Sequence, residues 1–430
     1  MCDGEEGGEM LDQREYLGDF WIPSNDSTQT PQKMRGRLKI VDGESVLLEL
    51  SEVEGLKFLI EQNTINVLWG EILGDISITL FCISFHQLAD KGIVSLSVKY
   101  TLYGCHVFSL DTPIFNECEV NYPYLHHWVS TDKISLNKEG NTSSIIIDET
   151  YSNTPIIESK LETGEHVMIL ENFTIREFPY KKEVEQSSYL KFQTKGNVSV
   201  KHFLELIGEF THFFAIAQYF QQYPTEALFR GKGIEAPLYF FFGHSDKPCP
   251  DALIQFPELK EKIPEMMRRW HSNYQQISPI CRHLLQFSGY DDFDFPDFLI
   301  FAQALDGYCK RFSNNDGESK HLYYKEQIDK LLKVFRDVDV IKNLNIDSEV
   351  LRQTRNKYSH LIPDDDIDIT KAASGQELYD LTIKCKVLLT CCILDFLGLS
   401  IEEINYCCQN STILLLVDSF QYYWKKYNLE

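Results

Sequence analysis

Positive charge is scarce in this sequence: 64 acidic residues outnumber 41 basic ones, for a formal charge of -23. That balance excludes a broad cationic coat, so any contact with nucleic acid must be made by a local basic site. Long hydrophobic runs are missing too. No stretch of 18 apolar residues occurs, and the longest candidates, such as Val387 to Leu394, are broken by a residue like Thr390 and followed by a charge like Asp395. This is the pattern of a buried helix rather than of a membrane span. The opening MCDGEEGGEM has no apolar core and cannot act as a secretory signal. The expectation is a cytoplasmic protein with no membrane contact.

Cysteine is present, 12 times, but never as C-x-x-C, which argues against a four-cysteine zinc module. Cys391-Cys392 and Cys407-Cys408 lie in apolar segments and read as buried thiols. His244 with Cys249, and Cys281 with His283, have only generic ligand spacing, and no metal or cofactor is expected. The acidic runs DDFDFPD (291 to 297) and DDDID (364 to 368) lack calcium-loop spacing and read as solvated loops. A glycine-rich phosphate loop, H-E-x-x-H and G-x-S-x-G are all absent, which counts against the chemistries that need them.

What is present divides the chain, whose length calls for more than one core. Residues 1–195 read as strands. RLKIVDGESVLLELSE alternates apolar and polar residues about the turn pair Asp42-Gly43, while ISITLFCISF and GIVSLSVKYTLYG are β-branched and aromatic. Short strands between turn-forming clusters favour a sandwich or barrel-like sheet. The period changes near Gly196, and 196–289 read as a mainly helical intervening region, interrupted by a strand candidate at 236–243. Residues 290–430 read as a helical bundle, so the fold class is α+β.

Four amphipathic segments define that bundle. The first, about Asp297 to Phe312, carries Phe298, Phe301, Leu305, Tyr308 and Phe312 on one seam. The second, about His321 to Val338, buries Tyr324, Ile328, Leu331 and Phe335. The third, about Asp347 to Leu361, puts Leu351, Thr354, Tyr358 and Leu361 on one seam and is stopped by Pro363. The fourth begins at a capping-box pattern, Ser374 to Glu377, and ends at Gly398. A second such pattern, Ser400 to Glu403, opens a final helix.

The third segment holds the sequence RNKYSH. Arg355 and His360 have four residues between them, and no other arginine in the chain has a histidine four to six positions later. RNKYSH resembles the arginine-polar-x-x-x-histidine motif of HEPN domains, with Asn356 in the polar place. FLIFAQALDGYCKRF resembles the first core helix of the HEPN domain of ApeA-like anti-phage proteins, and LGLSIEEI resembles its late helix turn. Near the start, FWIPSND and GRLKI resemble the N-terminal domain of the same proteins.

The resemblance implies a metal-independent RNA endonuclease acting in abortive anti-phage defence, with tRNA among the candidate substrates and a phage-derived trigger for the β-rich domain. The ribose 2′-hydroxyl would attack the neighbouring phosphorus. His360 would move the proton, Arg355 would hold phosphate oxygens and Asn356 would position the substrate. Asp306 stands where these proteins commonly carry glutamate, with a role in orienting His360 or Arg355, or merely in flanking the core. Lys310, Arg311, Lys330, Lys333, Arg352 and Lys357 are candidates for the RNA backbone. On a straight helix Arg355 and His360 point about 140° apart and stand about 7.5 Å apart along the axis. HEPN proteins generally resolve this by dimerising, so the resemblance implies a homodimer or higher even oligomer.

Each residue also has a plainer reading. Arg355 could pair with Glu349 or a loop carboxylate, Asn356 could be solvated, and His360 could cap the helix. Tyr422, Tyr423 and Trp424 could stack bases but fit a core or interface better. The competing function is a non-catalytic, dimeric HEPN interaction or sensor protein.

Overall fold

The period-two alternation of the first hundred residues is realised as a sheet that closes on itself. The structure is a computed structural model. It describes residues 13–24, 31–41, 46–51, 65–72, 75–89, 93–129, 134–139, 142–147, 154–178, 181–240, 245, 251–285, 295–312, 322–363, 369–411 and 413. The Asp42-Gly43 turn, the 364–368 run, His244, Cys249 and the Tyr422 to Trp424 group lie outside the described residues.

Six strands form a barrel: β1 (Gln13–Trp21), β2 (Met34–Val41), β3 (Val46–Leu50), β4 (Ile65–Ile72), β5 (Ile76–Ala89) and β6 (Ile93–Tyr103). They pair antiparallel in the order β6-β3-β2-β1-β4-β5, and β5 pairs with β6 to close the ring. Alternate residues point inward and are buried, among them Phe20, Leu38, Leu48, Leu68, Leu80 and Leu96. Gly70 makes room for the ring of Phe20, since a Cβ there would stand 2.7 Å from a ring carbon. The expected barrel-like sheet is thus present.

Six further strands extend it: β7 (Phe115–Asn121), β10 (Ile157–Lys160), β11 (His166–Phe178), β12 (Lys181–Val198), β13 (Glu226–Gly231) and β14 (Ile234–Phe240). Their order is β10-β11-β12-β7-β13-β14, and β14 pairs with β6. A short helix α1 (Leu125–Val129) and a separate hairpin, β8 (Ile134–Glu139) with β9 (Thr142–Ile147), lie between β7 and β10. The strand candidate at 236–243 is realised as β14; its partner β13 completes a hairpin inserted beside β7.

Helix α2 (Val200–Gln218) starts at once after β12, with the Ser199 hydroxyl accepting from the backbone N–H of His202. Its aromatic stripe, Phe203, Phe210 and Phe214, is buried in the core that also holds Phe115, Val120 and Phe192 of the sheet. A one-turn helix α3 (Phe256–Leu259) and a 3-10 turn (Lys260–Lys262) lead into α4 (Ile263–Leu285). Helix α4 packs on α2 and β10, and also on the bundle that follows it. That bundle comprises α5 (Phe295–Phe312), α6 (Tyr324–Val334), α7 (Asp339–Leu344), α8 (Ser348–His360), α9 (Gln376–Phe396) and α10 (Ile401–Gln409). One hydrophobic cluster runs from the sheet through Phe210 and Trp270 to Phe298, Leu305, Leu388 and Ile393. Sheet and bundle share a core.

Three local expectations are corrected. The segment expected as one helix from 321 to 338 is broken after Val334, where Phe335 leaves helical geometry before α7 begins. Ser374 does not cap α9: Gly375 does, at φ 53° and ψ -127°, a conformation open mainly to glycine, which shifts the start by one residue. Leu361 is not on the buried seam; it lies beyond the helix and is 80% exposed. The second capping box, Ser400 with Glu403, forms as expected.

A charged chain ties the β10–β11 turn to the two helices beneath it. His271 of α4 bonds Glu209 of α2 through Nδ1 (2.8 Å) and faces the Thr163 hydroxyl through Nε2 (3.0 Å). Thr163 in turn bonds Glu165, whose carboxylate lies 3.1 Å from His202. The hydrogen bond to Glu209 holds the His271 pKa above its ordinary value, against the effect of burial. A raised histidine contributes stability that is full below about pH 6.5 and is lost as pH rises through the folded-state value. The difference in Tm between wild type and His271→Gln is expected to be largest near pH 6 and to shrink by pH 9. Melting curves across that range check it; a constant difference refutes it.

Candidate active site

Helix α8 carries the motif; a side chain defines its start and the backbone defines its end. At the start, the Asp347 carboxylate accepts from the backbone N–H groups of Glu349 (2.8 Å) and Val350 (3.3 Å). At the end, Leu361 adopts the left-handed conformation, φ 50° and ψ 44°, and the Lys357 carbonyl accepts from the N–H groups of Leu361 and Ile362. His360 is therefore the last helical residue and is exposed.

One face of α8 is stapled to residues 371–373. The buried Thr354 hydroxyl accepts from the backbone N–H of Ala373 (2.9 Å) and donates to the Val350 carbonyl (2.7 Å). Gln353 accepts from the N–H of Lys371 (2.7 Å), and the Tyr358 hydroxyl donates to the Ala373 carbonyl (3.2 Å). These bonds fix the rotation of the helix about its axis, and so the direction in which Arg355 leaves it.

Arg355 turns toward α6. Its guanidinium carbon lies 5.3 Å from the centre of the Tyr324 ring, within the range of a cation–π contact. Among the described residues it has no carboxylate within ion-pair distance. Glu349, the partner that the plainer reading offered, is taken: Arg352 binds it through Nη2 (2.6 Å) and Nε (3.2 Å), Gln353 at 2.8 Å and Lys325 at 3.5 Å. Those bonds, led by Arg352, pull the Glu349 pKa down to about 2.

Asp306, on α5, forms an ion pair with Lys310 at 2.7 Å and makes no hydrogen bond to Arg355 or His360. It nevertheless belongs to the same neighbourhood. Burial drives the Tyr324 hydroxyl well above its ordinary pKa; Cys385 and Asp306 push it further up, and Arg355 pulls it back. Asp306, Tyr324 and Arg355 thus meet where α5, α6 and α8 pack together. Asn356 is half-buried and His360 exposed; neither side chain hydrogen-bonds another described residue.

The six basic candidates do not form one patch. Lys310 is held by Asp306, Arg352 by Glu349, and Arg311 donates to the Gln276 carbonyl of α4 (2.8 Å). Lys357 lies over the Tyr358 ring at 5.5 Å. Lys330 and Lys333 follow Asp329, which meets Ser348 at the start of α8, so they sit near the opposite end of that helix, about 18 Å from His360 by helix rise. A polar cavity of about 390 Å³, lined by Asp347, Lys371, Glu377, Asp380 and Lys384 among others, also opens at that end; neither Arg355 nor His360 lines it. Tyr324 went unrecognised in the sequence because its apolar spacing marks only a core position, and nothing in spacing reports its contact with a different helix.

A helical bundle with an arginine-asparagine-x-x-x-histidine motif closing one of its helices is the arrangement of a HEPN-domain protein. The Apea-like HEPN model matches residues 299–403. The model of ApeA N-terminal domain 1 matches residues 15–270, more than half of the chain, and takes in the barrel, the open sheet and the first turns of α4. The chain belongs to the ApeA-like family, whose C-terminal HEPN domain marks it as a defence-related protein. HEPN domains are typically ribonucleases that dimerise. No curated protein and no solved structure matches the chain.

The staple at Thr354 gives a direct test of how firmly the motif helix is held. Thr354→Val leaves the buried Ala373 N–H without an acceptor and should cost about 1–3 kcal/mol. Thr354→Ser should keep most of that stability. Chemical denaturation of the three proteins checks the difference.

Proposed function

We propose that the helical bundle is a metal-independent RNA endonuclease whose reaction centre is Arg355, Asn356 and His360. The observation that carries this reading is an arginine with no carboxylate partner among the described residues, on the same helix end as an exposed histidine. Arg352, by contrast, is clamped by Glu349. Among the described residues no carboxylate occupies the N–H donors of Arg355, and a phosphodiester is an anion that suits their planar fork.

In this reaction the ribose 2′-oxygen attacks phosphorus, its proton passes to an imidazole, and the bond to the 5′-oxygen breaks as that oxygen takes up a proton. Arg355 stabilises the extra negative charge on the pentacoordinate phosphorus, and Asn356 orients phosphate or ribose. The products are a 2′,3′-cyclic phosphate and a 5′-hydroxyl. Asp306 acts through its charge rather than as a proton carrier, because its carboxylate is already occupied by Lys310. Lys357, three residues before His360 on α8, is the basic candidate proposed to guide the RNA backbone; tRNA is the substrate proposed, in the cytoplasm, and a phage product acting on the β-rich domain is the trigger.

One helix cannot aim both groups at one phosphate: the five-residue separation turns them about 140° apart. Two copies facing each other can, with the arginine of one and the histidine of the other on the same substrate. Leu361, which follows the motif directly, and Tyr323, which precedes Tyr324, are 80% and 79% exposed and supply apolar surface for such a contact.

Incubation of the purified protein with total RNA, in the presence of a chelator, is expected to yield fragments with 2′,3′-cyclic ends. His360→Ala and Arg355→Ala should each lower the rate by about a hundredfold or more. Undiminished cleavage by both variants would remove the site from consideration, and a requirement for divalent metal would point to other chemistry. Leu361→Asp is expected to shift the protein from dimer to monomer in light scattering and to lose cleavage with it; an active monomer rejects the shared site.

A further inference from the structure

Arg355 is held in a different way from the clamped arginines of this protein. Arg352 spends its donors on Glu349, and Arg230 spends its own on Glu117, Glu119 and Glu235. Arg355 instead meets an aromatic face. A ring that stacks parallel to a guanidinium contacts its flat face and leaves the N–H edge for a ligand, whereas a carboxylate occupies that edge.

The ring is itself well fixed. Tyr324 is the first residue of α6, and the residue before it is locked by two bonds: its N–H donates to Glu326 (2.9 Å) and its carbonyl accepts from Gln327 (3.0 Å). The far end of the ring is driven into the bundle, close enough to Cys385 of α9 and Cys309 and Asp306 of α5 for their charges to act on its hydroxyl. That hydroxyl is buried and has no hydrogen-bond partner among the described residues. It therefore offers the fold nothing that phenylalanine would not, and the contact with Arg355 belongs to the ring.

We propose that Tyr324 is a positioning residue for Arg355: its ring is a shelf that holds the guanidinium face-on and turns the N–H edge outward to the phosphate. The inference rests on the ribonuclease reading above and assigns a role outside the RNKYSH motif. Arg355 remains the residue that touches substrate; Tyr324 acts through it. The shelf costs Arg355 none of its hydrogen-bond donors, so it prepares the site without competing with the ligand.

The test uses the full chain and an RNA that the wild type cleaves. Tyr324→Phe is expected to cleave within about twofold of wild type. Tyr324→Leu should lose about three- to thirtyfold in kcat with KM little changed, and should cause no further loss when combined with Arg355→Ala. Full activity in Tyr324→Leu, an equal loss in Tyr324→Phe, or losses that multiply in the double variant would each overturn the shelf. Thermal melting of Tyr324→Phe alongside Tyr324→Leu separates misfolding from a lost contact. A second readout does not depend on cleavage: the Arg355 side-chain N–H resonance should be ring-shifted in wild type and Tyr324→Phe and return toward its free position in Tyr324→Leu. An unshifted resonance in wild type rejects the shelf even in an active enzyme; a shifted one in a protein that cleaves no RNA rejects the ribonuclease reading and keeps the geometry.

Discussion

The β domain depends on how one strand satisfies its backbone. Each residue of β6 must place its N–H and C=O groups, because strands buried in a sheet have no water to turn to. Along one edge β6 pairs with β5 for nearly its whole length. Along the other it pairs first with β3, from Val94 to Val98, and then with β14, from Tyr100 to Leu102. The first half closes the barrel and the second half begins the open sheet, with Lys99 at the change of partner. Its buried side chains divide in the same place: Val94, Leu96 and Val98 fill the barrel, while Tyr100 and Leu102 belong to the larger core.

That larger core carries the connection onward. Helix α2 lies on the open sheet, α4 lies on α2 and β10, and the far side of α4 receives α5 and α9. Trp270, fully buried with its indole N–H bonded to the Glu209 carbonyl at 2.9 Å, sits at the centre of this relay. The motif helix α8 hangs on the outer side of the bundle, gripped by the 371–373 segment on one face and facing Tyr324 on the other. Among the described residues each step is side-chain packing, so the position of Arg355 is set by contacts that trace back to the sheet.

Alternation and amphipathic spacing made many elements legible: β2, β3, β5 and β6 of the barrel, the longer helices of the bundle, the Asp347 start and the Pro363 stop of α8, but not β1, β4 or α7. What they could not express was partnership. Alternation says which side of a strand is buried but not which strand lies next to it, so the closure of β5 on β6 could not be read from the pattern. β13 is six residues long and gives too short a pattern to stand out. The divergence of Arg355 and His360 was legible because it is set by helix geometry alone. The Tyr324 contact and the Thr354 staple were not, because each joins residues from separate segments. Leu361 was misplaced because apolar spacing cannot tell that a chain has left the helix by a left-handed residue.

The order of the strands along the chain has a consequence for synthesis. All six barrel strands fall within residues 13–103, so the barrel can finish while the rest of the protein is still being made. The bundle cannot, because α5 packs against α9, which ends at Phe396. A growing chain therefore leaves the ribosome with its β domain built and its motif helix unsupported, and the RNKYSH segment takes up its final geometry only after nearly everything else has folded.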